Sequence, residues 1–343
     1  MKKATIADVA RLAGVSIKTV SRVTNKEPNV RPDTRVRVSK AIEALGYQPN
    51  PSARSLAARR SYLVGLVYDN PSPSYLINVQ NGSLNTCRAE GYDLVIYPCD
   101  YRSDTLADDL ASMVRQSRLD GVILTPPLCD MSIVTETLTK LGVPFSRVAP
   151  ADEKHEAQSI VTNDAAITAK MTQHLIDLGH HDIAFVRGHP DHGAVCNRYD
   201  GYVEAMERAG IALNKDWIIQ GYNSVDSGEE CARRLLRLPK PPTAIFAAND
   251  DMAAGALRAA HALGVHVPSQ LSVAGFDDTP IARQVWPALT TIRQPIRHMA
   301  EQATELLLRQ LRDEPSDDLA RRIDCGLILR DSTAAAPQVR RAG

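Results

Sequence analysis

The sequence predicts an N-terminal all-α head followed by an α/β core of two parallel-sheet subdomains. Two short capped helical patterns flank a glycine within the first sixty residues. From residue 62 onward, short β-rich runs alternate with helix-like segments, which is typical of parallel sheets covered by helices on both faces. Charge divides at the same place. Residues 1–60 hold thirteen Lys and Arg against four Asp and Glu, a net of +9, so the rest of this neutral 343-residue chain carries −9.

The first predicted helix begins at Thr5, which Asp8 follows in the spacing of a capping box, and Gly14 ends it. Its apolar residues recur at helical spacing: Ile6, Val9, Ala10 and Ala13. Ser16 can cap a second helix, whose residues Val20 and Val23 fall on one face. Two helices joined by so short a glycine-containing turn predict a helix-turn-helix.

In a helix-turn-helix the second helix lies in the DNA major groove, where Arg or Lys can pair with guanine and an apolar side chain can meet a thymine methyl. The outward positions of this helix carry suitable types: Ile17, Lys18, Ser21 and Arg22. On spacing alone, a helical hairpin with a solvated basic face is the alternative. The basic charge of the first sixty residues favours DNA binding.

A third helix is predicted from Pro32 to Leu45, with Gly46 as its stop, and it would close a three-helix head. Asn50 and Pro51 then offer an N-cap and a first helical residue for a short helix. A helix of about two turns is marginal in water and needs a partner surface. A flexible linker is therefore the alternative for this segment.

The core pattern predicts strands at residues 62–68, 92–97, 120–125, 143–148, 159–161, 182–186, 218–221, 243–248 and 271–275. The tail beyond residue 333 has no leucine heptad. We therefore expect a homodimer and not a tetramer built on a coiled coil.

Polar residues stand at the carboxyl ends of the predicted strands, where open α/β sheets bind ligands. They are Asp69, Asn70, Arg147, Asn163, Asp164, Asn249, Asp250, Asp251, Asp277 and Asp278. Carboxylates and amides can bridge neighbouring hydroxyl groups, so this set suits a polyhydroxylated ligand. For each residue taken alone, a helix N-cap or solvation of a loop is the competing role.

Several other kinds of site find little support. Six scattered cysteines without a CxxC pair predict reduced thiols and no metal site. His180, His181, His189 and His192 are close in sequence but straddle a strand and a loop, so we expect that loop to line the cleft and not to bind metal. No Gly-rich phosphate loop and no Gly-x-Ser-x-Gly elbow appears. We therefore predict no cofactor, no metal and no catalytic residue.

The sequence also predicts the cellular location of the protein. No apolar run approaches the roughly 20 residues that span a membrane. The N-terminus passes directly into a capped helix and not into an apolar signal core. We expect a cytoplasmic bacterial protein that associates with the nucleoid when bound to DNA and has no membrane partner.

Residues 5–60 resemble the DNA-binding head and hinge of the lactose repressor/galactose repressor family. The matching motif runs Thr5-Ile6-x-Asp8-Val9-Ala10-x-x-Ala13-Gly14-Val15-Ser16-x-x-Thr19-Val20-Ser21-Arg22-Val23-x-Asn25, then Leu45-Gly46-Tyr47-x-Pro49-Asn50 and Ala53-x-x-Leu56. Weaker matches continue to about Thr333. The resemblance implies a DNA-binding set of Thr5, Ser16, Ile17, Lys18, Thr19, Ser21, Arg22, Asn25, Asn50, Ala53 and Leu56. It also implies a hinge helix that folds in the operator minor groove, where Leu56 would wedge between base steps.

For the core, the resemblance implies a periplasmic-binding-protein-like fold, in which three crossovers join two subdomains around an effector cleft. It also implies that Leu289 to Pro295 is the final crossover back to the first subdomain and that Leu329 to Thr333 is the closing strand. Arg198, Asn249 and Asp277 match family effector contacts, and Phe276 matches a position that is usually aromatic. Further cleft positions carry Pro73, Tyr75, Arg147 and Asn223. Tyr75 could stack on a sugar ring. Arg147 replaces an acidic residue of some relatives, which would permit an anionic sugar.

These observations divide the chain into a helix-turn-helix domain (1–47), a hinge (48–61), an effector-binding core (62–333) and a tail (334–343). Subdomain N would span about 62–161 plus 294–324, and subdomain C about 162–292 plus 325–333. The predicted function is repression of carbohydrate-utilisation genes through a near-palindromic double-stranded operator, under the control of a sugar-type effector. The alternative is a sugar-binding or sugar-processing α/β protein with an accessory basic head.

Overall fold

The computed structural model describes residues 4–24, 29–47, 60–151 and 156–337. The chain forms two compact units, residues 1–61 and 62–343. Most of the predicted hinge, including Asn50, Ala53 and Leu56, lies outside the described residues, as do Asn25 and the end of the tail. In the parts that are described, no helix combines the length and the apolar character needed to cross a bilayer.

The head contains three helices, α1 (Ile6–Ala13), α2 (Ile17–Thr24) and α3 (Pro32–Leu45). The Thr5 and Asp8 capping box is present, with the Thr5 amide donating to Asp8 Oδ2 at 3.0 Å. Gly14 ends α1 in the left-handed region at φ 64°, a conformation that glycine adopts without strain. Val9, Val20 and Val38 are fully buried between the helices. The three predicted helices of the head are confirmed.

The first sheet of the core contains six parallel strands in the order β11-β5-β4-β3-β1-β2 within the described ranges. They are β1 (Leu63–Tyr68), β2 (Asp93–Pro98), β3 (Gly121–Leu124), β4 (Phe145–Val148), β5 (Ser159–Thr162) and β11 (Arg322–Ile323). The helices that cover this sheet are α4 (Pro73–Ala89), α5 (Leu106–Ser117), α6 (Ser132–Lys140) and α12 (Ile296–Leu311). Their apolar faces pack onto the central strands β1, β3 and β4, which are buried on both sides, as expected of a parallel sheet.

The second sheet has the order β12-β10-β9-β8-β6-β7 in the described chain, with β12 antiparallel to β10. Its strands are β6 (Ile183–Arg187), β7 (Ile218–Gln220), β8 (Ala244–Ala247), β9 (Ser272–Asp277), β10 (Thr290–Arg293) and β12 (Gly326–Ile328). Its helices are α7 (Asp164–Asp177), α8 (Ala194–Arg208), α9 (Val225–Leu236), α10 (Asp250–Ala262) and α11 (Ile281–Gln284). Helices α9 and α10 approach closely at Gly255, where a Cβ atom would stand 2.1 Å from the Val225 carbonyl oxygen.

The described chain passes between the two sheets at three places, after β5, after β10 and between β11 and β12. This topology confirms the predicted fold class, a helical head followed by an α/β core of two parallel-sheet subdomains. The predicted closing strand at Leu329 to Thr333 is wrong, because the last strand is β12. The backbone of this segment makes isolated bonds, with the Val273 amide donating to the Ser332 carbonyl oxygen at 2.8 Å. The Ser332 hydroxyl accepts from the Thr290 amide and donates to the Val273 carbonyl oxygen, so side-chain and single backbone bonds take the place of a continuous ladder.

Candidate functional site

A cleft that is open to solvent lies at the carboxyl ends of strands from both sheets. This is where the topology of open parallel sheets leaves room for a ligand. Its walls are formed by Asn70, Ser72, Tyr75, Pro126, Ala149, His192, Ala194, Val195, Arg198, Asn223, Asn249, Asp277 and Gln294. Most of these are polar groups or small apolar side chains.

Arg198, on α8, is the centre of the charged network in the cleft. Its Nε donates to Asp164 Oδ2 at 3.0 Å, and its Nη1 donates to the Ala248 carbonyl oxygen at 2.6 Å and lies 3.6 Å from Asp277 Oδ1. The guanidinium carbon also stands 3.6 Å from the centre of the Phe276 ring. Burial disfavours the charged form of Arg198, but Asp164 and Asp277 outweigh burial and raise its pKa. The guanidinium therefore stays charged and fixed in place.

Asp277 ends β9 on the cleft wall with an unusual backbone, φ 109°. Burial raises the pKa of its carboxyl to about 7, although the nearby charge of Arg198 acts in the opposite direction. The neighbouring Asp278 points elsewhere, since its Oδ2 accepts from Arg293 Nε at 2.7 Å and its Oδ1 from Arg330. Asp277 is thus the carboxyl group that β9 offers to the cleft.

Two amide side chains on the wall already have partners within the protein. Asn249 caps α10, with its Oδ1 accepting from the Met252 amide, and its Nδ2 donates to the Asn223 carbonyl oxygen at 3.2 Å. Asn223 Oδ1 accepts from the His189 amide at 3.1 Å. Beside them, burial lowers the pKa of His192 to about 4, so its imidazole is neutral near pH 7.

Hydrogen bonds join the two subdomains across the cleft. Ser72, just before α4, donates its hydroxyl to Asp251 Oδ2 at 2.9 Å. Tyr101 and Arg102, from the loop after β2, both donate to Asp191 Oδ2, from the loop after β6. These contacts hold the cleft walls together.

The structure brings five of the predicted effector residues onto the cleft wall, namely Tyr75, Arg198, Asn223, Asn249 and Asp277. Phe276 lies beneath the wall, fully buried under the Arg198 guanidinium. Pro73 is the exposed first residue of α4 and does not line the cleft. Tyr75 lines the cleft and also packs against the hydrophobic core of the first subdomain.

Arg147 requires a correction, because its side chain is almost fully buried away from the cleft wall. Its Nε donates to the Cys129 carbonyl oxygen at 2.7 Å and its Nη2 to Asp130 Oδ1 at 3.3 Å. Arg147 is still within β4, and the residue that lines the cleft is Ala149, just after the strand. The expectation that Arg147 would admit an anionic sugar therefore has no support in this geometry.

Other cleft residues were missed from the sequence: Ser72, Pro126, Ala149, Ala194, Val195 and Gln294. Gln294 directly follows β10, in a segment that we expected to be only a crossover. The rule that ligands meet the carboxyl ends of strands would have identified it if β10 had been recognised. The small apolar residues carry no chemical signal of this kind.

In the head, the start of α2 is capped as predicted, with the Thr19 amide donating to Ser16 Oγ at 3.1 Å. Ile17 is 51% exposed, and Lys18 and Arg22 are also exposed on this helix. Ser21 is half-buried. Helix α2 thus presents apolar, hydroxyl and cationic groups on one short surface, while Thr5 serves the cap of α1.

Comparison with known proteins assigns both parts. A family model described as "Bacterial regulatory proteins, lacI family" matches residues 5–50, and one described as "Periplasmic binding protein-like domain" matches residues 172–333. The chain is 33% identical over 338 residues to the HTH-type transcriptional repressor PurR of Vibrio campbellii, covering 96% of this chain and 98% of the relative. The chain belongs to the lacI family.

The catabolite control protein A of Priestia megaterium is also 33% identical, over 332 residues, 96% of this chain and 99% of that protein. Among solved structures, a complex of the transcriptional regulator CelR with cellobiose has a TM-score of 0.72 and 31% identity, covering 96% of this chain and 99% of that one. The lac repressor dimer bound to operator and the anti-inducer ONPF has a TM-score of 0.78 and 28% identity, covering 97% and 100%. The lacI-family chain is thus a DNA-binding transcriptional repressor with a ligand-binding core, and not an enzyme.

Proposed function

We propose that this repressor binds a near-palindromic operator as a homodimer and that a neutral sugar in the cleft controls its affinity for DNA. Carbohydrate-utilisation genes are the proposed targets. The observation that carries the proposal is a cleft lined by hydroxyl and amide groups whose guanidinium is already paired with two carboxylates. Similarity to a regulator solved with cellobiose supports a sugar as ligand.

The charges of the cleft favour a neutral ligand over an anionic one. Among the described lining residues, Arg198 is the permanent cation, and Asp164 and Asp277 lie against it. His192 is uncharged near pH 7 because burial lowers its pKa. A sugar phosphate or sugar acid would therefore add negative charge next to a carboxyl group without meeting an unpaired cation.

The aromatic residues of the cleft favour a hydroxylated ligand over a flat heterocycle. The face of Phe276 is covered by the Arg198 guanidinium, and Tyr75 packs against the core of the first subdomain. A flat base relies on stacking against such faces. A sugar gains most of its affinity from hydrogen bonds, which the polar walls can supply.

For DNA recognition, we propose that Ile17, Lys18, Ser21 and Arg22 contact bases in the major groove. Thr5, Ser16, Thr19 and Asn25 would bind the phosphate backbone or position α2, and Asn50, Ala53 and Leu56 would act in the minor groove. The proposed subdomain boundaries remain near residues 161, 293 and 324. A ligand that changes the relation of the two subdomains would change the spacing of the two heads.

The test is fluorescence anisotropy with the purified full chain and DNA from upstream of its own and neighbouring genes. We expect binding that weakens with salt and that changes on adding a neutral sugar, such as cellobiose, D-glucose, D-galactose or D-ribose. The matching sugar phosphates and sugar acids should have less effect. If the protein bound random DNA as tightly as the upstream DNA under every condition, the proposal of a specific operator would be refuted. A larger effect of the sugar phosphates than of the neutral sugars would refute the proposal of a neutral ligand.

A further inference from the structure

A second cavity lies inside the first subdomain, apart from the cleft. Its volume is about 240 Å³, and the described residues that line it all fall between positions 67 and 134. Its floor consists of apolar side chains that are buried and belong to one hydrophobic cluster: Val67, Leu106, Leu110, Leu128 and Val134. They come from β1, α5, α6 and the turn that precedes α6. The cavity therefore opens into the apolar core of one subdomain.

The size and the lining of this cavity indicate what it can hold. Protein interiors are close-packed, and the side chains around a cavity lose contacts in proportion to its volume. Apolar cavities of roughly 150 Å³ stay dry and can bind a single aromatic ring. The cavity in this subdomain is larger, so it has room for one ring and a short chain.

The mouth of the cavity is acidic. Its lining residues are Tyr97, Pro98, Cys99, Asp100, Ser103 and Asp109. Asp100 Oδ1 accepts from the Arg102 amide at 2.9 Å, and Asp109 Oδ2 accepts from the Thr105 hydroxyl at 2.8 Å. Both donors are uncharged, and no Lys or Arg is among the described residues that line the cavity. Two carboxylates therefore stand at the entrance without a cation on the same wall.

The thiol of Cys99 responds to the charge at this entrance. Burial raises the pKa of the thiol to about 12, and the charges of Asp69, Asp100 and Asp109 act in the same direction. A negative potential of this kind disfavours a further anion and attracts a cation. A ligand whose apolar end packs on the floor would therefore have its cationic end at the mouth.

The loop after β2 connects this cavity to the second subdomain. Cys99 and Ser103 line the cavity, whereas Tyr101 and Arg102, which lie between them in the sequence, both donate to Asp191 Oδ2. Asp191 belongs to the loop after β6, in the second subdomain. One side of the loop after β2 thus contacts the cavity, and the other side holds the two subdomains together.

We propose that the cavity is a second ligand site, that it takes a small molecule with one apolar ring and a protonated amine, and that its occupant stabilises the bonds to Asp191. The ring packs on the floor, and the ammonium group lies at Asp100 and Asp109. The site is distinct from the cleft, because the two share no lining residue in the described chain. An occupant that favours one arrangement of the subdomains also changes the affinity of the cleft for its own ligand.

The first measurement is the Tm of the purified full chain, followed by tryptophan fluorescence, with phenethylamine as the probe. A ligand that binds the folded chain raises Tm as its concentration increases. We expect a larger rise with phenethylamine than with 2-phenylethanol or phenylacetate, which carry the same ring with a neutral or an anionic end. An equal rise with all three compounds, or none with phenethylamine, would overturn the proposal.

Variants then locate the amine. Asp109→Asn should weaken phenethylamine binding by roughly two- to fivefold, the usual effect of one exposed ion pair. Asp108→Asn is the matched control, since Asp108 is the exposed neighbour on α5 and does not line the cavity. Leu110→Phe occupies part of the cavity and should weaken binding by about tenfold or more. Val134→Ile, which adds one methyl group, replaces Leu110→Phe if that variant lowers Tm by itself.

Unchanged affinity in Asp109→Asn and in the variant that fills the cavity would also overturn the proposal. The amine would then bind elsewhere on the acidic core. Neither sugar nor DNA takes part in these measurements, so their outcome does not depend on the proposed function.

Amide hydrogen exchange tests the link between the subdomains. With phenethylamine bound, exchange should slow at residues 99–105 and also at residues 189–192, because the bonds to Asp191 join the two loops. In Asp191→Ala, which removes the acceptor of both bonds, the slowing should be confined to residues 99–105. The same confinement in the wild type would refute the link.

Discussion

In the head, most of the side chains proposed to read DNA are exposed on α2, whereas most polar side chains of the cleft wall are buried and bonded within the protein. Ile17 and Arg22 belong to a surface that the small core of the head only supports. Arg198 and Asp277 are part of the interior of their subdomain as well as its binding wall. Function and stability are therefore separable in the head and combined in much of the cleft.

We expect the largest effect on stability from Arg198→Ala, which leaves Asp164 and Asp277 buried without their cation. Breaking a buried ion pair from one side costs about 3–5 kcal/mol, so the core should lose that much unfolding free energy in urea. Both tryptophans, Trp217 and Trp286, lie in the core unit, so their fluorescence reports on that unit. Arg208→Ala on the same helix removes an exposed pair with Glu204 and should cost well under 1 kcal/mol. Equal losses in the two variants would contradict the structural role of Arg198.

Val20→Ala tests the stability of the head without changing the surface that we propose reads DNA. Val20 is fully buried in the head core, and removing two carbons from such a site costs about 2 kcal/mol. We expect loss of helical circular dichroism and of DNA binding at a lower temperature, with an unchanged tryptophan transition. Val36→Ala is the control, since Val36 is 54% exposed on α3. A shifted tryptophan transition in Val20→Ala would show that the two units do not unfold separately.

Arg22→Ala tests the proposed contact with DNA and should leave the stability of the protein unchanged. If Arg22 reads a base, the change should cost about 1–3 kcal/mol of operator binding and relax specificity at one position. The tryptophan transition should not move. Competition binding with single-base operator variants measures the effect, and Lys40→Ala on α3 serves as a comparison. An equal loss of affinity for all operator variants would show that Arg22 contacts only phosphate.

Asp277→Asn tests the ionisation of the Asp277 carboxyl through the pH dependence of stability. Because burial raises the folded pKa of Asp277 to about 7, the folded wild type holds a proton that the unfolded chain releases near pH 4. Its contribution to stability is therefore present below about pH 4 and lost as pH rises to about 7, by at most about 1.4 kcal/mol per pH unit. Asp277→Asn should flatten this part of the stability curve.

Urea midpoints between pH 5 and 8 measure this slope. Asp250 and Asp251 also have raised pKa values through burial and remain in the variant, so the slope should decrease and not vanish. Asp226→Asn, at a side chain that is 93% exposed, should leave the wild-type slope unchanged. A slope that is identical in all three proteins would show that Asp277 is ionised throughout this range.

Two arginines show where prediction from the sequence stopped. We predicted both Arg147 and Arg198 at the cleft. Arg198 lies on the cleft wall, whereas Arg147 is buried against Asp130. A strand of a parallel sheet is buried on both faces, so its residue pattern does not show which side chains reach past its end. For Arg147, the position of the true cleft residue, Ala149, depends on where β4 ends.

The sequence alone determined the helices of the head, the β-α alternation of the core and the separation of charge. Helix capping by Thr5, helix termination at Gly14 and Gly46, and apolar periodicity depend on residues that are a few positions apart. The sequence pattern therefore shows them directly. Only the tertiary structure decided the chemistry of the cleft. The pKa of Asp277 depends on its burial and on Arg198. The burial of the Gln294 amide, which has no hydrogen-bond partner among the described residues, depends on a strand and a crossover that meet residues far away in the chain. Burial and pairing of polar groups arise when distant segments pack, which local pattern cannot specify.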